Sequence, residues 1–211
     1  MTLSCSATSS TVRGLQITKK LHITPLIDIQ SATFAERYVT GVCWRLFGWR
    51  EHGEVEAQGP LPEHYLIDNL KRCAQINRFD GRHEELLRKD IGFFLGMLHG
   101  GVLTPDGALR PDAKTLVIVH TQDFREGYER GRRDYFTQYE EIAHTEGDLL
   151  DLFKARTQDN LYLSGEQSTL RWAIGCTVGE LSGRLFPMTE QEQLYKHHAP
   201  QVRSAAVLQE A

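Results

Sequence analysis

Leu15 to Ile23 alternates apolar and polar residues, which predicts an extended stretch. Two further runs, Leu26 to Ile29 and Leu116 to Val119, read as short strands; the second is β-branched and apolar, so burial is expected. After each run comes the pattern Phe-x-Glu-x-Tyr-x-x-Gly, at Phe34–Gly41 and Phe124–Gly131. It predicts a helix, with Ser31 or Thr121 as its N-cap. A second helix is expected from about Pro62 to Gln75 and again from Glu146 to Thr157, Pro62 suiting the first helical position. A third carries Leu87 to Gly100 and then Leu170 to Gly183, the latter preceded by Ser164 and Gln167 at capping-box spacing. Pro105-Asp106-Gly107 is a turn. Thr189 and Glu192 have capping-box spacing too, and open a terminal helix expected to end before Pro200.

The same order of elements thus occurs twice. Shifting the chain by 83 positions aligns residues 63–100 with 146–183 and gives thirteen identities in 38 positions, without a gap. About two would arise by chance. They include Glu63/Glu146, Leu87/Leu170, Arg88/Arg171 and the glycine pairs 92/175, 96/179 and 100/183. The Phe-x-Glu-x-Tyr-x-x-Gly block matches at a shift of 90, so the first copy carries seven extra residues, placed in the Gly-rich, charged stretch Trp49 to Pro60. The copies span about 24–105 and 114–187.

Glycines at i, i+4 and i+8 share one face of the third helix in each copy. Each costs about 1 kcal/mol relative to alanine. Close approach of another backbone is the expected return. The expected fold is mainly α with a minor β element: two three-helix units about a pseudo-twofold axis, their glycine helices packed centrally. Residues 1–13 are expected to be a disordered tail, 14–187 a single domain, and 188–211 a C-terminal helix and tail.

Composition adds limits. The chain has 211 residues, with 24 Lys plus Arg against 28 Asp plus Glu, a net charge of -4 that excludes a generally basic nucleic-acid binder. No apolar run reaches the 18 or so residues needed to cross a bilayer. The four cysteines, Cys5, Cys43, Cys73 and Cys176, form no Cys-x-x-Cys pair and read as three unpaired small apolar core residues plus one in the N-terminal tail. With no signal-peptide pattern at the start, a cytoplasmic location is expected.

The repeated polar residues are the candidate site. Glu36 and Glu126 are expected to pair with Arg88 and Arg171, each inside its own copy, as partly buried charge-assisted bonds. Tyr38, Tyr128 and His99 complete the polar set, as a ligand site or a structural core. The second copy alone carries Arg130, Arg132 and Arg133, a solvated helix face or an anion contact. Glu141-x-x-His144 has di-iron spacing, but Leu61 stands at the matching position, so no metal or other cofactor is expected. Motifs for phosphate loops, nucleophile elbows and zinc hydrolases are absent from the sequence.

The expected function is a non-enzymatic binding or regulatory module holding a protein partner or small ligand between its repeats, with homo-oligomerisation open to it. Two alternatives stand beside it. One is an enzyme using Glu36, Glu126, His99 or His120 as acid or base. The other is nucleic-acid binding through Arg130, Arg132 and Arg133.

Overall fold

The computed structural model describes residues 3–8, 18–47, 59–137, 145–158, 167–190 and 192–193. The expected insertion in the first copy (apart from residues 59 and 60), Glu141–His144, the Ser164 cap and the tail beyond residue 193 lie outside the described residues. The described chain is mainly helical. Its order is β1 (Leu3–Thr8), β2 (Thr18–Ile23), α1 (Ala32–Phe47), β3 (Leu61–Pro62), α2 (Glu63–Gln75), α3 (Glu84–Gly100), β4 (Val117–Ile118), α4 (Gln122–Thr137), α5 (Glu146–Gln158) and α6 (Gln167–Leu185).

The N-terminal segment departs from the expectation of disorder. Leu3–Thr8 pairs antiparallel with Thr18–Ile23, Leu3 opposite Ile23 and Thr8 opposite Thr18, and β1 lies against α1. The alternating run that predicted β2 supplies the ladder that orders β1. Cys43 on α1 is disulfide-bonded, while Cys73 and Cys176 take part in no disulfide. That corrects the reading of Cys43 as an unpaired core residue.

α1 starts where its cap predicts: the Ser31 hydroxyl accepts the Phe34 amide at 3.2 Å, and the Thr121 hydroxyl accepts the Phe124 amide at 3.4 Å for α4. Phe34, Tyr38 and Val42, four residues apart, are fully buried and line one face of α1. α3 lies on that face. A methyl group at Gly92 would meet the Phe34 carbonyl, one at Gly96 the Tyr38 carbonyl, and one at Gly100 the Val42 carbonyl. α6 lies on α4 in the same way, Gly175 opposite the Phe124 carbonyl and Gly179 opposite that of Tyr128. The bare faces of α3 and α6 therefore meet α1 and α4, inside each half. They do not face each other across the centre, as the sequence reading has it. The reason is that α1 and α4 bring their own glycines, Gly41 and Gly131, against the Phe93 and Cys176 carbonyls, so both helices of each pair are bare at the crossing.

The centre of the molecule is apolar. Side chains of α2, α3, α5 and α6 close around a cavity of about 20 Å³, room for little more than a water molecule. Two short pairings tie the halves together there: β3 runs parallel to β4, with Leu61 opposite Val117, and Asp28 bridges to Thr145. Among the described residues no helix is long and apolar enough to cross a membrane.

Candidate functional site

Each half's second helix begins with a glutamate that is completely buried. Glu63 accepts the His120 amide at 2.6 Å, the Thr121 amide at 3.0 Å, the Thr121 hydroxyl at 2.6 Å and Arg171 Nη1 at 2.7 Å. Glu146 accepts the Gln30 amide at 3.0 Å, the Ser31 amide at 2.9 Å, the Ser31 hydroxyl at 2.7 Å and Arg88 Nη1. Each carboxylate thus sits at the N-terminus of the other half's first helix, where the helix dipole favours negative charge. Burial opposes ionisation of both groups, yet the hydroxyl, the amides and the arginine outweigh it and hold each carboxyl below its usual value.

This geometry corrects the expected ion pairs. Arg88 binds Glu146 and Glu84, Arg171 binds Glu63, and both bonds to the buried glutamates cross from one half to the other. Glu36 is exposed, and Glu126 is exposed with its carboxylate on Gln122 Nε2 at 2.8 Å. The two glutamates of the helix pattern follow its outer face, so they could not reach a charge on the inner one. Glu63 and Glu146 were legible as a matched pair opening the second helices; their role needed the other half to be in place.

The repeated tyrosines turn inward. Tyr38 hydroxyl accepts the Leu26 amide at 3.1 Å and shares a hydrogen bond of 2.6 Å with His99 Nδ1, whose direction follows the imidazole tautomer. Burial pushes the Tyr38 hydroxyl far up and His99 down to about 4, leaving a neutral, enclosed pair. In the second half Tyr128 hydroxyl lies 2.5 Å from Ser182 Oγ and 3.1 Å from Thr115 Oγ1. Ser182 stands at the position that matches His99 by the 83-residue shift.

Here the halves diverge. Tyr128, Glu129, Arg132, Arg133, Phe136 and Thr137 form one face of α4 and, with Lys114, Thr115, Thr189 and Glu192, line a cavity of about 290 Å³. Arg132 is buried in its wall, where the first half has Val42. Its Nε meets Glu192 Oε1 at 2.6 Å and its Nη2 meets Glu192 Oε2 at 2.9 Å, a two-pronged bond. Nη2 also donates to the Pro187 carbonyl at 2.8 Å, and Nη1 reaches Ser182 Oγ only at 3.5 Å. The guanidinium lies over the Phe136 ring, 5.3 Å from its centre. Burial opposes the Arg132 charge and Glu192 more than restores it; the Glu192 carboxyl is held low by Arg132 and the Thr189 amide against its own burial. Thr189 and Glu192 make the reciprocal capping-box bonds their spacing predicts, at 2.7 and 3.3 Å.

The three expected anion-binding arginines do not act as one face. Arg132 points inward to Glu192, Arg130 pairs with Asp134 at 2.5 Å, and Arg133 is exposed at the cavity rim. Arg130 and Arg132 are each already paired with a carboxylate. The acid–base candidates are not brought together either. His99 is enclosed, Glu36 and Glu126 are exposed on different helices, and exposed His120 lies beside His64, the rings tilted by 41° with centres 6.0 Å apart. Ser182, Thr115 and Glu192 were missed as site residues, because no local pattern links them to α4. No protein-family model, curated protein or solved structure matches this chain.

Proposed function

We propose that the chain is an internally duplicated helical unit that works as a small-molecule binding module, with its ligand site on α4 in the second half. The cavity of about 290 Å³ beside Tyr128, Arg132 and Phe136 carries this reading. It lies at the small end of the range of ligand pockets and combines aromatic walls with a few convergent polar groups. The space between the halves, where the sequence reading puts the ligand, is apolar and far smaller.

What supports the doubling is the lining of that central space. It consists of six pairs related by the 83-residue shift: Leu66/Leu149, Leu70/Phe153, Ile91/Ile174, Phe94/Thr177, Leu95/Val178 and Leu98/Leu181. A pseudo-twofold axis through the cavity accounts for such a set. The reciprocal carboxylates of Glu63 and Glu146 obey the same axis. In a duplicated dimer one half keeps the fold and the other is free to change, and Arg132 marks the half that changed.

The binding reading is tested by saturation-transfer NMR of a mixed set of neutral and acidic aromatic fragments on the full chain. Bound fragments are expected, and they should be lost on Thr137→Trp, which fills the cavity from its rim. Absence of binders, or binders indifferent to Thr137→Trp, would remove the site. The disulfide at Cys43 favours an oxidising compartment over the expected cytoplasm. Thiol counting on denatured, unreduced protein should find two reactive groups per chain; four would restore the cytoplasmic reading.

A further inference from the structure

Resting on the α4 site just proposed, we infer that its ligand is a small organic acid with a flat apolar body, whose carboxylate takes the place of Glu192 on Arg132. The argument starts from the comparison of halves. Val42 fills the position of Arg132 in the first half and is fully buried, so the fold itself asks for no charge there. A buried ion pair gives little or no net stability over well-packed apolar side chains. The Arg132–Glu192 pair is therefore a poor way to fill space, yet it stands in the wall of a cavity of about 290 Å³.

The chemistry of the ligand follows from what Arg132 already holds. Its planar fork binds a carboxylate through two parallel N–H bonds, and any carboxylate of the same shape satisfies it. Around it, the cavity lining carries three basic side chains, Lys114, Arg132 and Arg133, and two acidic ones, Glu129 and Glu192. Phe136, under the guanidinium, and the Tyr128 ring give a flat body its apolar contact. Glu192 can leave. It stands in the capping box with Thr189 beyond the end of α6, with about 15% of its side chain already reaching solvent. Arg132 keeps the Pro187 carbonyl throughout.

Glu192 is thus an internal competitor, and its removal raises the fraction of chains able to bind. The probes are 4-fluorobenzoate and its neutral relative 4-fluorobenzamide, titrated by fluorine NMR into the full chain at pH 7 and low salt. Glu192→Gln should tighten 4-fluorobenzoate about tenfold or more and leave 4-fluorobenzamide within about twofold. Arg132→Lys in the same background should abolish the gain. Should that double variant fail to fold, Arg133→Gln, at the exposed rim, must weaken the acid and spare the amide. An acid affinity unmoved by Glu192→Gln, or acid and amide tightened alike, overturns the exchange while the cavity keeps its standing as a site. Neither probe binding any variant overturns both.

Discussion

Glu63→Ala is expected to destabilise the chain by about 3–5 kcal/mol, the usual cost of removing one partner from a buried charge pair. For a chain of this size that lowers the thermal midpoint by roughly 10 °C or more, readable by circular dichroism. The carboxylate is fully buried and satisfies two amides and a hydroxyl at the start of α4, so its loss orphans three donors as well as Arg171. Glu146→Ala removes the mirror-image set and should cost a similar amount. Arg171→Met should cost less, because that arginine is about a quarter exposed and the amides keep their acceptor. A Glu63→Ala chain within 1 kcal/mol of the parent would show that the cap does not hold the halves together.

The same groups set an acid limit. Both carboxyls sit below their usual range when folded, so the native state binds fewer protons than the unfolded chain. Their stabilisation is complete above the unfolded value of about 4.3 and is lost as pH falls through the folded ones. Melting between pH 6 and 3 should therefore show a steep loss below about pH 4.5, and Glu63→Gln with Glu146→Gln should flatten it.

The helices were readable because their signals are local. Ser31 and Thr121 cap where a hydroxyl precedes an apolar face, and the spacing of Thr189 and Glu192 carries its own reciprocal bonds. A glycine spacing and a glutamate–arginine set that recur at one shift were legible too. What could not be read was which half completes which. Glu63 and Glu36 both lie near polar and aromatic neighbours in sequence. Only the folded chain puts Glu63 at the N-terminus of α4 and leaves Glu36 in solvent. The α4 cavity is hidden for the same reason. Arg132 looks like a member of a charged helix face until residues sixty positions away close over it. Long-range closure of this kind leaves no periodicity behind. Its one trace was the asymmetry between Val42 and Arg132 at matching positions.

Gly96→Ala and Gly179→Ala separate the two halves experimentally. On helix propensity alone each change would stabilise by about 1 kcal/mol. Packing reverses the sign. The added methyl collides with the backbone of Tyr38 in one case and of Tyr128 in the other, and a backbone cannot swing aside as a side chain can. The paired helices must move apart, breaking contact along their length, and a net loss of about 3 kcal/mol or more is expected for each. Gly147→Ala is the control: in the first turn of α5 its methyl meets only the Gln30 and Thr145 side chains, at 3.4 and 3.6 Å, so it should be neutral or slightly stabilising. The two glycines part company at the ligand site. Gly179 abuts Tyr128 and the Arg132 amide, so its methyl displaces two residues of the cavity wall, and 4-fluorobenzoate binding should fall with stability. Gly96 touches only the neutral Tyr38 side of the molecule, and the chain that remains folded should bind the acid as the parent does. Equal loss of binding in both variants would place the site at the shared centre of the fold, and a stable, fully active Gly179→Ala chain would remove the close helix contact from which the cavity is built.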